Sequence, residues 1–326
     1  MQPDMRSTAD GGDCRRTITL LPPSFTILRP GTLATSLPAM KNSSRDDDIT
    51  LPSRFEDDLH RSEGKPFAFD HGDLRTLHFD EKFIQSAMLI SAPDHLLLSY
   101  TQAMMAFLLF NPEPRHIVMI GLGGGSLAKY CYRRLPATRI TVLELDSDVI
   151  ALRNKFVIPD DDQRLQIIHA DAVDYLTAID HKADIILHDG FTADGLAPEL
   201  STEAFYRLCH AALERDGVLV SNLWGDASDL APVMQRLYAV FDWRLWWSGA
   251  SRSFNRIVFS ARNADQAMFP SMLAKRAAQL DLHHNFSFCD LVDRLQTACG
   301  KSRAEFEAIA GNDMRDAFMQ ADPLEA

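Results

Sequence analysis

The sequence predicts an α/β protein: a doubly wound, mainly parallel sheet with a terminal antiparallel hairpin, preceded by a small antiparallel β domain. Three observations carry this. Short apolar runs alternate with helical patterns from His116 to Val240, the order that builds parallel strands joined by helical crossovers. The first run, His116-Ile-Val-Met-Ile120, breaks into the glycine loop Gly121-Leu-Gly-Gly-Gly-Ser126. The second, Ile140–Glu144, ends on an acid about 20 residues past that loop, the spacing of a nucleotide-binding βαβ unit.

The elements follow in order. Residues 1 to about 60 are rich in Pro, Ser, Thr and Asp with weak periodicity, which predicts a disordered N-terminal extension. Within it, Met40 precedes the polar run Lys41–Asp48. One reading makes Met40 the start of the native chain, and an intact mass that includes residues 1–39 would remove it. Residues 61–95 hold the β domain. Phe67–Asp70, Leu74–Phe79 and Phe83–Leu89 read as strands, separated by turns at His71-Gly-Asp73 and Asp80-Glu-Lys82. Leu96–Phe110 reads as a buried helix, because Ser99, Tyr100, Thr101 and Gln102 interrupt it and it falls short of the roughly 18 residues of a membrane span.

A nucleoside-binding domain is expected over residues 96–262. Its strands are Ile117–Ile120, Ile140–Glu144, Leu165–His169, Ile185–His188 and Val218–Ser221. Its helices are Ser126–Arg134, Asp148–Phe156, Val173–Ile179, Thr202–Glu214 and Asp229–Val240. Trp243–Trp247 and Arg256–Ser260, with Gly249 between them, read as the terminal hairpin. Residues 263–326 are helical in pattern and end in an acidic tail.

Composition narrows the class. The 326 residues suffice for a full core and one or two domains. With 46% hydrophobic and 24% charged residues the chain is of the soluble globular type. A net charge of −12 disfavours nucleic acid and suits cationic or neutral ligands. The five cysteines are scattered without a Cys-x-x-Cys pair, so neither a disulfide framework nor a metal site is expected, and a reducing cytoplasm is the default. The first residues carry Asp4, Asp10 and Asp13 rather than a basic-then-apolar export signal.

In such sheets ligands bind beyond the carboxyl ends of the strands. There the chain places Gly121–Gly125, Glu144, Asp171-Ala172, His188-Asp189-Gly190 and Asn222-Leu-Trp224. Gly121, Gly123 and Gly125 let a nucleoside approach the backbone, because no Cβ stands in the way. Ser126 occupies the place of the third glycine in the dinucleotide fingerprint, which makes NAD the weaker choice. Glu144 is placed to accept hydrogen bonds from ribose hydroxyls. Asp171 is placed either to meet an adenine amino group or to cap the helix that follows. Asp189 emerges from a buried strand, where partial desolvation raises its basicity, and is the candidate general base. Asp146 and Asp148 are expected to cap a helix, and His188 to point to the opposite face of the sheet as a satisfied core histidine. Trp224, Trp243, Trp246 and Trp247 are aromatic surfaces whose expected use is core packing.

At these residues the chain resembles the spermidine synthase (polyamine aminopropyltransferase) family, and its bacterial spermidine synthase-like branch in particular, over roughly residues 66–262. Leu77-His-Phe-Asp-Glu-Lys-Phe-Ile-Gln85-Ser resembles the family's Leu-Asp-Gly-x-x-Gln-Ser segment. Ser99-Tyr100-Thr-Gln102-Ala-Met104 resembles its Tyr-His/Gln-Glu-Met helix. Gly121–Gly125, Glu144, Asp171-Ala172 and Asp189 match its nucleoside and catalytic positions in order, and Leu200–Leu208 resembles the helix after its fourth strand.

The resemblance implies a transferase with a methyltransferase-like Rossmann fold, commonly a dimer. Such an enzyme uses decarboxylated S-adenosylmethionine as co-substrate and passes its aminopropyl group to putrescine. It implies that Gln85, the glycines, Glu144, Asp171 and Ala172 hold the donor, and that Tyr100 and Asp189 activate and place the attacking amine. The chain departs from the family in three places. The family's loop reads Gly-Gly-Gly-Asp-Gly, and here it has no acid. The second Asp of its fourth-strand loop is Thr192 here, with Asp194 the nearest acid. Gln102 sits one place late relative to the family's Tyr-Gln pair. These departures keep two alternatives open: a methyltransferase using intact S-adenosylmethionine on a small substrate, and a non-catalytic nucleoside-binding protein.

Overall fold

The computed structural model of the protein describes residues 27–29, 32–34, 53–80, 84–192, 195–225, 227–242, 244–249, 255–263 and 270–297. A short hairpin, β1 (Ile27–Arg29) and β2 (Thr32–Ala34), comes first, then helix α1 (Ser53–Ser62). The β domain follows as β3 (Phe67–His71), β4 (Leu74–His78) and β5 (Ile84–Leu89), an antiparallel three-stranded sheet. Helices α2 (Ser99–Met104) and α3 (Phe107–Phe110) lead into the large sheet.

That sheet begins with β6 (His116–Ile120), α4 (Ser126–Arg134), β7 (Arg139–Glu144), α5 (Ser147–Ala151), β8 (Leu165–His169), α6 (Ala172–Ala178) and β9 (Ala183–His188). A small hairpin, β10 (Phe191–Thr192) and β11 (Gly195–Leu196), and a 3₁₀ turn at Pro198–Ser201 precede α7 (Glu203–Ala212). Then come β12 (Leu213–Trp224), α8 (Ala227–Phe241), β13 (Leu245–Gly249), β14 (Asn255–Ala261), α9 (Pro270–Leu280), α10 (Phe288–Asp293) and β15 (Gln296–Thr297).

The eight strands order as β15-β13-β14-β12-β9-β6-β7-β8. β12, β9, β6, β7 and β8 run parallel, while β14, β13 and β15 pair antiparallel at one side. The inner parallel strands are apolar without alternation because helices cover both faces. Every residue of β6 and of β9 is buried. On one face Met104, Phe107, Tyr130, Phe156, Leu273 and Phe288 pack against Ile117, Leu187 and Phe259. On the other, Leu176, Phe205, Tyr206 and Met234 pack against Val118, Ile186 and Leu219. This doubly wound arrangement, with the antiparallel hairpin and the leading β domain, is the predicted fold. Among the described residues no helix is long and apolar enough to cross a membrane.

Several details differ from expectation. The region up to residue 60 contains α1, whose Phe55 is 1% exposed and packs on Phe67 and Phe69 at ring distances of 5.6 and 5.1 Å. Phe55 and Leu59, one turn apart, form an apolar edge that docks on the β domain. The rest of the expected extension, with Met40, lies outside the described residues apart from β1 and β2. The single helix expected at Leu96–Phe110 is two, interrupted at Met105-Ala106; an apolar segment buried on all sides has no periodicity to reveal a break. β12 starts five residues early, at Leu213, with a register irregularity between Leu213 and Val218. Gly249 lies within β13 opposite Arg256 rather than in the turn. The C-terminal region adds β15 to the sheet, paired with Trp246 and Trp247 of β13.

Candidate active site

The carboxyl ends of β6, β7, β9 and β12 meet the β domain and α2 around a cleft of about 1000 Å³. The glycine loop forms its floor. Gly121 has φ +95°, and a Cβ there would collide with the carbonyl oxygen of Asp189. The loop and the Asp189 turn are therefore packed backbone to backbone, and the Asp189 N–H donates to the Ile120 carbonyl at 2.9 Å. Gly123 (φ +50°) lines the cleft, and a Cβ there would make only an ordinary contact, with the Ser86 Cβ at 3.8 Å. Gly125 does not line the cleft, contrary to expectation. It is the left-handed N-cap of α4, and a Cβ there would press on Ile158.

Glu144 ends β7 with both carboxylate oxygens engaged: Oε2 accepts from the Leu122 N–H at 2.8 Å and Oε1 from the Asp146 N–H at 2.9 Å. The carboxylate is thus fixed against the loop, and each oxygen keeps a further lone pair for a ligand hydroxyl. Asp171 is the N-cap of α6, its Oδ1 accepting from Val173 and Asp174 N–H groups at 2.7 and 3.2 Å. Both readings of Asp171 are compatible, since the cap uses one oxygen and the residue lines the cleft beside Ala172. Asp146 caps α5 through the Asp148 N–H, as expected; Asp148 itself sits in the first turn and pairs with Lys65 at 3.2 Å.

Asp189 stands beside the glycine loop, at the end of the neighbouring strand β9. Its Oδ2 accepts from the Tyr100 hydroxyl at 3.3 Å and its Oδ1 from the Asn222 amide at 2.7 Å. Desolvation pushes its pKa up to about 6, against the opposing effect of the two hydrogen bonds. Tyr100, desolvated and beside a carboxylate, has its pKa raised well above the ordinary value and stays a hydrogen-bond donor. Gln85 lines the cleft from β5.

His188 points to the other face, as expected, against Phe205 and Tyr206. It is not satisfied, however. Neither ring nitrogen has a hydrogen-bond partner among the described residues, and burial lowers its pKa to about 4. Trp246 and Trp247 are core residues, whereas Trp224 lines the cleft; Trp243 and Asp194 lie outside the described residues.

Asn222, Asn255, Ser86 and Glu199 also line the cleft, and sequence reasoning gives none of them a role. Asn222 carries a signal, its place at a strand end. Asn255 carries none, because only the pairing of β12 with β14 brings it near. Among the described residues, five carboxylates line the cleft, Glu144, Asp146, Asp171, Asp189 and Glu199, and no lysine or arginine does.

A polyamine aminopropyltransferase of Neisseria meningitidis serogroup A is 36% identical over 221 residues, covering 67% of this chain and 84% of that one. The chain belongs to the spermine/spermidine synthase family. The family's spermine/spermidine synthase domain matches residues 97–227, which run from α2 into α8 and include Tyr100, the glycine loop, Glu144, Asp171, Asp189 and Asn222. The fold is shared with a probable spermidine synthase from Corynebacterium glutamicum (TM-score 0.55, 18% identity, 65% of this chain and 83% of that one). It is shared equally with human methyltransferase-like protein 13 (TM-score 0.53, 24% identity, 57% and 91%), so the fold alone does not choose between transferred groups. Laid along the family's Gly-Gly-Gly-Asp-Gly loop, this chain has Gly124 at the acid. A Cβ at Gly124 would lie 2.6 Å from Ser86 Oγ and 2.9 Å from the Phe156 ring, so that space is already filled.

Proposed function

We propose that this chain moves the aminopropyl group of decarboxylated S-adenosylmethionine to an amine acceptor such as putrescine. The observation that carries the reading is one half-buried carboxylate, Asp189, held by Tyr100 and Asn222 beside the glycine loop, in a lining rich in acids and without Lys or Arg among its described residues. An intact donor would bring in a carboxylate that this lining gives no cation to meet, and an unpaired charge is costly to bury. A decarboxylated donor and a polyamine bring only cationic groups.

In this reading Gln85, Gly121, Gly123, Glu144, Asp171 and Ala172 hold the nucleoside, Glu144 through the ribose hydroxyls and Asp171 through the adenine amino group. Asp189 takes a proton from the acceptor ammonium. The freed nitrogen lone pair attacks the donor methylene next to the sulfonium. A C–N bond forms, the C–S bond breaks, and its electron pair returns to sulfur to leave a neutral thioether. Asp189 releases the proton to solvent. With a pKa of about 6 it is mostly ionised at pH 7 yet more basic than an exposed aspartate, as a general base requires. Tyr100 keeps its proton and steadies the carboxylate. We place the enzyme in the cytoplasm as a homodimer, which light scattering of the purified protein tests.

The deciding experiment incubates the purified protein with putrescine and either donor and follows products by mass spectrometry. Spermidine and the thioether nucleoside, formed from the decarboxylated donor alone, are expected. Methylated amine from the intact donor would replace this reading with methyl transfer, the alternative favoured by the missing acid at Gly124. No product from either donor would leave nucleoside binding as the role.

A further inference from the structure

Asp189 is gripped on both oxygens, but its two partners differ in kind. The Tyr100 hydroxyl has one freely rotating proton, which turns to meet the carboxylate. A primary amide has two ends, one donating and one accepting, and Asn222 serves Asp189 only with its nitrogen turned inward. Something must set that orientation. Asn222 is 2% exposed and cannot settle it with water. Its oxygen faces away from Asp189 and accepts from the Asn255 amide at 2.8 Å, and Asn255 is 6% exposed. The strand register explains the meeting. β12 and β14 are antiparallel with Asn222 opposite Ile257 and Trp224 opposite Asn255, so Asn222 and Asn255 are diagonal neighbours on one face.

We propose that Asn255 and Asn222 form a positioning relay for Asp189: Asn255 fixes which end of the Asn222 amide faces the cleft, and Asn222 thereby donates to the carboxylate. The two residues touch no reacting atom in this scheme and act through Asp189. The relay rests on Asp189 being the general base, the reading given above.

The relay makes a directional demand. A donor to Asp189 favours the ionised form, so losing it moves the ionisation of Asp189 upward. The other titratable groups lining the cleft with Asp189, among the described residues, are Tyr100, in contact on α2, and Glu144, Asp146, Asp171 and Glu199. His188, next in sequence, is neutral on the opposite face. None of these is altered by substitutions at 222 or 255.

The test uses Asn222→Leu and Asn255→Leu, which keep the side-chain shape and delete the amide, with Asn222→Ala and Asn255→Ala standing in for either that does not fold. Two readouts are taken in parallel: the acidic limb of kcat/KM against pH, and the ionisation of Asp189 followed by carboxyl carbon NMR in the free protein. Asn222→Leu is expected to move both upward by about one pH unit, the scale of a hydrogen bond to a charged group. Asn255→Leu is expected to move them in the same direction by less, and to do nothing further in an Asn222→Leu background. Additive shifts, or none from Asn255→Leu, would overturn the relay. If neither donor supports turnover, the catalytic reading fails while the NMR titration still decides the relay.

Discussion

At the scale of single residues, Asp189 sets opposing demands on stability and catalysis. Its folded pKa of about 6 lies above the ordinary carboxylate value of 3.8. A raised acid pKa means that the folded protein holds its proton more tightly than the unfolded chain. This group therefore costs nothing below about pH 4, and its cost grows as pH rises to about 6 and is then constant. Asp189→Asn is accordingly expected to stabilise the protein by on the order of 3 kcal/mol at pH 8 and to leave it unchanged near pH 3.5, read by thermal melts at the two pH values. The same substitution should lower turnover by roughly 10²–10⁴-fold, the range of a general base, with nucleoside affinity retained in calorimetry. A loss of nucleoside binding would instead make Asp189 part of the donor pocket. Gly121→Ala should act on the same carboxylate from beneath. The new Cβ meets the Asp189 carbonyl in a left-handed backbone, so a loss of more than about 1 kcal/mol is expected, with kcat falling further than nucleoside affinity.

At the scale of elements, what the sequence discloses depends on whether an element has to alternate. β6 and β9 are legible because strands buried on both faces are continuous apolar runs, and α4 because Gly125 and the paired Arg133 and Arg134 mark its two ends. The α2–α3 break is not, and neither are β10, β11 and β15, each two residues long and decided by tertiary pairing rather than by composition. α1 is hidden for another reason: its anchors, Phe55 and Leu59, sit among charged residues and matter only because Phe67 and Phe69 lie opposite. Phe55→Ala should therefore release α1. The expected cost is up to about 3–5 kcal/mol for a buried aromatic, capped by local detachment of the helix. Hydrogen exchange should rise across Ser53–Ser62 and β3 and stay unchanged in β6 and β9; a uniform rise would mean that α1 is integral to the main core.

At the scale of the whole molecule, the strand-end rule is enough to locate the cleft from the order of apolar runs. Gln85, Tyr100, Gly121, Gly123, Glu144, Asp171, Ala172 and Asp189 all line it. What escapes that rule is the contribution of the antiparallel hairpin, because Asn255 reaches Asp189 only through Asn222, and no spacing in the sequence encodes a side chain two strands away. The cleft's carboxylates sit on a chain of net charge −12. A concave acidic site draws cations in and is screened within a Debye length of about 10 Å at 0.1 M salt. For a diamine acceptor kcat/KM should fall several-fold between about 20 and 300 mM salt, while kcat at saturation changes little. A salt-independent kcat/KM would show that the field does not guide capture.

The outermost pairing of the main sheet carries a consequence for the way the chain is made. β13, with Trp246 and Trp247, finds its last partner in Gln296–Thr297, which leaves the ribosome about 50 residues later. At roughly 5–20 residues per second the tryptophan-bearing strand waits for some seconds with its backbone groups open to any neighbour. Nascent chains crowded along one message would meet each other at that strand first, and a ribosome-associated chaperone would bind them there.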